Sequence, residues 1–226
     1  MRIVVLGGAG DMGSEAVRDL VKFTDAEQVT VADLNTVAAE RLAADLGDKR
    51  VVVKKVDATS RDELVEVLKG HDVAAGALGP FYRFERPIVE AAIEAGVNYV
   101  SICDDHDAAE AVLGLDEAAK EKGLKILTGL GWTPGLTNIF ARKGYGELDE
   151  VEKINVYWAG SAGDSEGLAV ILHTIHIFTG HVASYQNGEF MLVKAGSGKE
   201  WVDFPAPLGK VATFHLGHPE PVTLPR

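Results

Sequence analysis

Cysteine is nearly absent from this chain: Cys103 is the single one in 226 residues, so no internal disulfide can form and a reducing compartment is the expected setting. No apolar stretch reaches the roughly 20 residues that a membrane-spanning helix needs. Positive charge is the scarcer sign, with 22 Lys and Arg against 34 Asp and Glu, a formal net charge of −12. Such a surface repels nucleic acid and anionic membranes, which excludes both as expected partners. Aromatic residues make up only 7%, while hydrophobic residues at 46% and charged residues at 25% are ordinary for a globular protein. The first residues read as a core strand and not as a signal peptide, and a cytoplasmic location is expected.

What the chain does have is concentrated at its start. The apolar run Arg2-Ile3-Val4-Val5-Leu6 is followed by Gly7-Gly8-Ala9-Gly10-Asp11-Met12-Gly13, a helical pattern, and Val29-Thr30-Val31-Ala32-Asp33. A glycine pattern alone is weak evidence. Between a strand and a helix, with an acidic residue closing the next strand about 20 positions on, it reads as a dinucleotide-binding turn. The spacing gives Gly8 the tight turn, Gly10 the close approach to a pyrophosphate, and Gly13 the close packing of helix on sheet. The amides of Asp11 and Met12 open the helix, where unpaired N–H groups and the helix dipole favour an anion. A purely structural glycine turn is the competing reading.

Asp33 carries the cofactor preference. A carboxylate at the end of the second strand accepts hydrogen bonds from ribose hydroxyls and repels a 2′-phosphate, and Leu34 and Asn35 supply no arginine beside it. NAD is therefore expected ahead of NADP. The bland alternative for Asp33 is a helix cap, a task for which Asn35 is better placed.

Apolar runs then alternate with 3.6-periodic segments to residue 143, the pattern of a parallel sheet with helices on both faces. Helices are expected over Met12–Val21, from Asn35, from a capping box at Ser60-Arg61-Asp62-Glu63, from Pro87, and from Asp107 to Lys122. Strands are expected at 28–32, 51–53, 73–78, 98–102 and 125–128, in the order 3-2-1-4-5-6. The fold class is thus α/β, a Rossmann-type doubly wound parallel sheet over residues 1–145. A smaller α+β unit with antiparallel strands, a substrate and dimerisation domain, is expected over 146–226. In it, Val151–Trp158 alternates as a strand, 160–167 is a Gly-Ser-Asp loop, and a helix covers Leu168–Phe178. Asn187-Gly188 marks a hairpin, Trp201–Phe204 a further strand, and no closing element precedes Pro225-Arg226. This second unit reads as incomplete.

Further site candidates lie at the carboxyl ends of the strands. Asp57 and Ala58 follow the third. Ala77-Leu78-Gly79-Pro80-Phe81 follow the fourth, beside the switch point, where the nicotinamide ribose should pass and Phe81 should wall the ring. An ordinary Gly-Pro turn is the alternative. Cys103-Asp104-Asp105-His106 follow the fifth, and three readings stand together: one aspartate caps the next helix, the carboxylates bind a substrate amine, or His106 is a base near neutral pH. Cys103 is either a small buried residue or a contact near the nicotinamide. After the sixth strand, Pro134 and Gly135 suit the first turn of a helix whose N–H groups face the crevice, with Trp132 lining it; a plain loop–helix junction is the alternative. His173 and His176 share a helix face and His181 follows, but no second acidic ligand stands at metal spacing, so no metal is expected; the readings that stand are a half-buried helix facing the crevice or a partner subunit, and a substrate contact from one of these histidines.

Three segments together carry a family likeness: Gly8-x-Gly10-x-x-Gly13 with Asp33 and Asp57-Ala58, then Gly96-Val97-Asn98-Tyr99-Val100, then Leu130-Gly131-Trp132-Thr133-Pro134-Gly135-Leu136-Thr137-Asn138. The chain resembles the saccharopine dehydrogenase-like family, and within it the lysine 6-dehydrogenase branch, from residue 1 to about 160. The resemblance implies a nicotinamide-dependent oxidoreductase that transfers a hydride from a C–N carbon of an amino acid, such as lysine or a saccharopine-like adduct. It also implies a homodimer formed through the second domain. Two other functions remain open: a dinucleotide-sensing module without catalysis, and a reductase of an aldehyde or 2-oxo acid on the same frame.

Overall fold

The computed structural model describes residues 1–160, 163 and 167–226. Most of the 160–167 loop expected from sequence therefore lies outside the described residues. Six parallel strands form one sheet in the order β3-β2-β1-β4-β5-β6, as expected: β1 (Arg2–Leu6), β2 (Gln28–Asp33), β3 (Val51–Lys55), β4 (Val73–Gly76), β5 (Asn98–Ser101) and β6 (Ile126–Leu127). The apolar run of β1 explains its central place. Ile3 and Val5 point to one face, against Val17 of α1 (Asp11–Phe23) and Ala39 and Leu42 of α2 (Thr36–Leu46). Val4 and Leu6 point to the other, against Leu64 and Leu68 of α3 (Arg61–Leu68) and Ile88, Ala91 and Ala92 of α4 (Phe81–Ala95). A strand buried on both faces must be apolar where it is buried, which Ile3 to Leu6 present after the exposed Arg2.

The caps follow the sequence with one twist. The Asn35 side chain accepts the Ala38 amide at 3.1 Å. Ser60 accepts the amide of Glu63 at 3.3 Å, but the Glu63 carboxylate takes the Asp57 amide at 2.8 Å, so half of the expected box ties α3 back to the end of β3.

Several expectations need correction. Pro87 does not open its helix: α4 begins at Phe81, six residues earlier, and Pro87 lies inside it. Proline is read from sequence as a start because it lacks an N–H, yet here burial of Phe81, Ile88 and Val89 outweighs one missing bond. The helix expected from Asp107 to Lys122 divides into α5 (His106–Leu113) and α6 (Asp116–Glu121), broken at Gly114 and Leu115. The expected boundary at 145/146 falls within α7 (Leu136–Glu147). Val151–Trp158 forms no strand among the described residues. Alternation makes a segment competent to be a strand, but a neighbour must fill its backbone bonds, and none pairs with it there.

Beyond α7 come α8 (Leu168–Ile177), the hairpin β7 (His181–Gln186) and β8 (Glu189–Lys194), a second antiparallel pair β9 (Glu200–Phe204) and β10 (Gly209–Thr213), and α9 (Glu220–Thr223). At the hairpin turn Asn187 and Gly188 both have positive φ, as the type I′ reading requires. The short α9 packs on α5 and β7.

One buried polar network stiffens the sheet edge. Glu85 on α4 is fully enclosed and accepts hydrogen bonds from Tyr99 at 2.8 Å, from Thr128 at 3.0 Å and from Ser101. Gly76 makes room for it, since a methyl group there would overlap the Tyr99 hydroxyl. Burial pushes the Glu85 carboxyl up, against the pull of the three hydroxyls. Glu85→Ala is expected to leave those hydroxyls unpaired and to cost about 3 kcal/mol of stability, read from urea unfolding.

Candidate functional site

The glycine turn has the geometry of a nucleotide cradle. Gly7 turns the chain in the left-handed region at φ +73°, one residue earlier than the spacing assigned, and its amide bonds the Ala32 carbonyl at 2.9 Å. A methyl group on Gly13 would lie 2.0 Å from the Gly7 carbonyl oxygen, so this position sets how closely α1 meets the turn. Gly10 is the N-cap of α1, and Asp11, Met12 and Gly13 occupy its first turn, where no earlier turn accepts their amides. Asp33 stands at the end of β2 beside this turn. One carboxylate oxygen accepts the Ala9 amide at 3.0 Å and the other the Asn35 amide at 2.9 Å. The carboxylate is thus held against the turn and does not itself cap α2.

The remaining cofactor candidates line the same sheet edge in a graded way. Leu34 is exposed and Ala58 packs on the core. Asp57, held below the usual carboxylate range chiefly by the Thr59 hydroxyl, fixes the loop after β3. Ala77 and Leu78 lie across from Gly7, with the Ala77 amide bonded to Leu6 at 2.9 Å. Gly79 meets Ala169, which seats the start of α8 over the switch point. Phe81 is 8% exposed and packs inward on Cys103 and Ala108, so the open aromatic of this loop is Tyr82.

At the carboxyl end of β5 the four candidates separate sharply. Cys103 is fully buried, its thiol directed at the Asp105 carbonyl and pushed well up by burial and by the charge of Glu85. A thiol so placed is neither open to substrate nor available as thiolate. Asp105, also fully buried, sits at the N-cap position of α5 but does not cap it. One oxygen accepts the amide of Tyr82, in the first turn of α4, at 2.8 Å; the other pairs with His173 Nδ1 at 2.8 Å. The aspartate cap expected for α5 is not formed, and this carboxylate instead holds the first turn of α4. Burial raises the Asp105 carboxyl, and the His173 bond and charge outweigh it and lower it overall. Burial likewise lowers His173, and the bond to Asp105 with the charge of Asp104 raises it overall. Asp104 is one-third exposed and lies 3.4 Å from the same His173 nitrogen. His106 is half-buried and shifted down, first by burial and then by His176, against the pull of Asp107.

The second unit supplies partners that sequence reasoning did not single out. Glu220 of α9 is buried and accepts hydrogen bonds from Thr137 at 2.9 Å and from Thr133, and it pairs with His218 Nδ1 at 3.2 Å. The His218 ring stands edge-on to His173 at 5.8 Å and against Trp158 at 5.3 Å. Asn138 adds a bond to Thr223 at 2.8 Å. Only the adjacency of His218 and Glu220 in the chain signalled this contact beforehand. His173 and His176 do share a face of α8, as expected; His173 meets Asp104 and Asp105 just before α5, and His176 bonds Asp107 of α5 at 3.1 Å and stacks on Tyr82 at 4.2 Å. Two groups, His106-Asp107-His176 and Asp104-Asp105-His173, hold their donor atoms within 4.8 Å, while His181 begins β7 and joins neither.

The loop before α7 departs from expectation. Gly135 is the N-cap and Pro134 precedes it, outside the helix. The amides of Leu136 and Thr137 bond the Gly131 and Trp132 carbonyls of their own loop at 3.0 and 3.2 Å. This terminus spends those donors on itself and does not offer them to an anion. Trp132 is 63% exposed at its rim.

Comparisons with known proteins match both the sequence of the N-terminal layer and the fold. The family model described as the saccharopine dehydrogenase NADP binding domain matches residues 3–127. A carboxyaminopropylagmatine dehydrogenase of Synechocystis sp. is 26% identical over 148 residues, 62% of this chain and 37% of that protein. A lipid droplet localized protein of Caenorhabditis elegans is 24% identical over 178 residues, 72% of this chain and 41% of that protein. The apo saccharopine dehydrogenase (L-Glu forming) of Saccharomyces cerevisiae shares the fold with a TM-score of 0.66 at 18% identity, over 94% of this chain and 49% of that one. The chain spans about two fifths of the length of the curated relatives it matches. The match over more than half of the chain makes the assignment plain: this chain belongs to the family described as the saccharopine dehydrogenase NADP binding domain.

Proposed function

We propose that this protein oxidises a C–N bond of an amino acid or amine, with the Asp105–His173 pair handling the proton. The observation that carries the reading is that pair: a buried carboxylate fixing an imidazole at the strand ends, beside the switch point of a dinucleotide-binding sheet. Bound nicotinamide supplies a hydride acceptor. The chain's own residues orient the substrate and move the proton. With Nδ1 held by Asp105, His173 presents Nε2 to the crevice, where it takes a proton from the substrate ammonium before the carbon gives up its hydride. His173 thus takes the role that sequence gave to His106, whose lowered basicity and pairing with the Asp107–His176 group suit it less. Lysine and its adducts are the first substrates to test. A cytoplasmic homodimer belongs to the same reading, supported by the exposed apolar side chains Ile139, Phe140, Ile175, Phe178 and Leu192 on α7, α8 and β8.

The test is the absorbance of reduced nicotinamide together with released ammonia. Amine-dependent reduction with one ammonia per turnover supports the proposal, and reduction with no ammonia from any primary amine refutes the C–N assignment.

For the cofactor, the carboxylate of Asp33 supports NAD, although the family description names NADP and Lys55 stands opposite Asp33 in the β2–β3 ladder. Asp33→Ser is expected to weaken NAD about tenfold and to leave NADP unchanged or tighter, as read by fluorescence titration of the two reduced forms. Equal losses for both would remove Asp33 from the ribose site.

A further inference from the structure

The carboxylates at this end of the sheet differ in how fully they are paired. Glu85 is filled by three hydroxyls, Asp105 by an amide and an imidazole, Asp107 by the Ala108 amide and His176, and Glu220 by two threonines and His218. Asp104 is the exception among the described residues. Its one side-chain partner is His173 Nδ1 at 3.4 Å, and that nitrogen is already committed to Asp105 at 2.8 Å. Its side chain is one-third exposed and lies next to the like charge of Asp105, beside the largely buried His173 ring.

We propose that Asp104 is the specificity residue of this site and that it receives an aliphatic ammonium group of the substrate. An ammonium there gains a carboxylate with unused acceptor capacity and relieves the repulsion between adjacent aspartates, so its arrival offsets the desolvation of both groups. Burial and Asp105 hold the Asp104 carboxyl above its usual range, against His173 and His218, and a cation beside it would reverse that shift. The held nitrogen then lies beside His173, which takes its proton, and the neighbouring carbon is left free to give up its hydride. The inference rests on the proposed reading of the site and adds the class of ligand group that it takes.

The probe is 1,5-diaminopentane, titrated calorimetrically into the chain with and without oxidised nicotinamide dinucleotide, with glutarate as the anionic counterpart of equal length. Diamine binding that weakens about tenfold or more in both Asp104→Asn and Asp104→Ser, with little or no glutarate binding, is the expected result. Equal diamine affinity in the parent and both variants, no diamine binding at all, or tighter binding of glutarate would overturn it. Absence of dinucleotide binding alongside Asp104-dependent diamine binding would count against the oxidoreductase reading and leave the ammonium assignment standing. Two variants guard against a local folding defect, which thermal melting of each would reveal.

Discussion

Gly13→Ala is expected to lose nucleotide binding and stability together. The added methyl would sit 2.0 Å from the Gly7 carbonyl oxygen, 2.8 Å from the Gly7 carbonyl carbon and 2.9 Å from the Gly8 Cα. All three atoms are backbone in the tightest part of the cradle, so no side chain can swing aside. Either α1 lifts from the turn or the turn itself shifts. Overpacking of this kind costs about 1–3 kcal/mol. The same displacement moves the first-turn amides away from the pyrophosphate, and a loss near 2 kcal/mol in binding is about 30-fold in affinity. Urea unfolding and dinucleotide titration of one preparation measure both. A variant that melts like the parent and binds the cofactor equally well would show that this is not the cradle.

Asp105→Ala is expected to be the most damaging change at the substrate end, at about 3–5 kcal/mol, because it strands the Tyr82 amide and the His173 imidazole at once. It should also change the pH dependence of stability. Asp105 has its carboxyl lowered, so its contribution is present above the ordinary value of 3.8 and fades as pH falls through the lower folded value. His173 has its imidazole raised, so its contribution is full below the ordinary value of 6.5 and fades as pH rises through the higher folded value. The parent should therefore show a stability plateau between these limits that Asp105→Ala flattens. Urea midpoints across the acid and neutral range measure this. A variant with the parent's plateau would mean that the pair contributes nothing to folding.

Much of this architecture was legible before any coordinates. Continuous apolar strands separated by helical periods gave the six-stranded order, because a sheet covered on both faces leaves a simple signature. Asn187-Gly188 gave its hairpin through local backbone chemistry alone. What escaped was decided by tertiary contact. Pro87 looks like a helix start until the burial of Phe81 extends α4 past it. Val151–Trp158 has the alternation of a strand, but pairing depends on a neighbour that no local pattern reveals. In the site, the glycine cradle and the acidic turn after β5 are local motifs and were found. His173 is 68 residues from Asp105, and Glu220 is 87 from Thr133, so no spacing rule connects either pair. An aspartate was expected to cap α5, and Asp105 instead binds the first turn of α4, an outcome that only the tertiary fold decides.

That aspartate has a mechanical consequence. Because one enclosed carboxylate grips the opening turn of α4, stands at the start of α5 and clasps a side chain of α8, three segments share a single anchor. The opening turns of α4 and α5 and the body of α8 are therefore bolted to one another. They will tilt as a unit, and a displacement of α8 should be felt at the switch point without any intervening hinge.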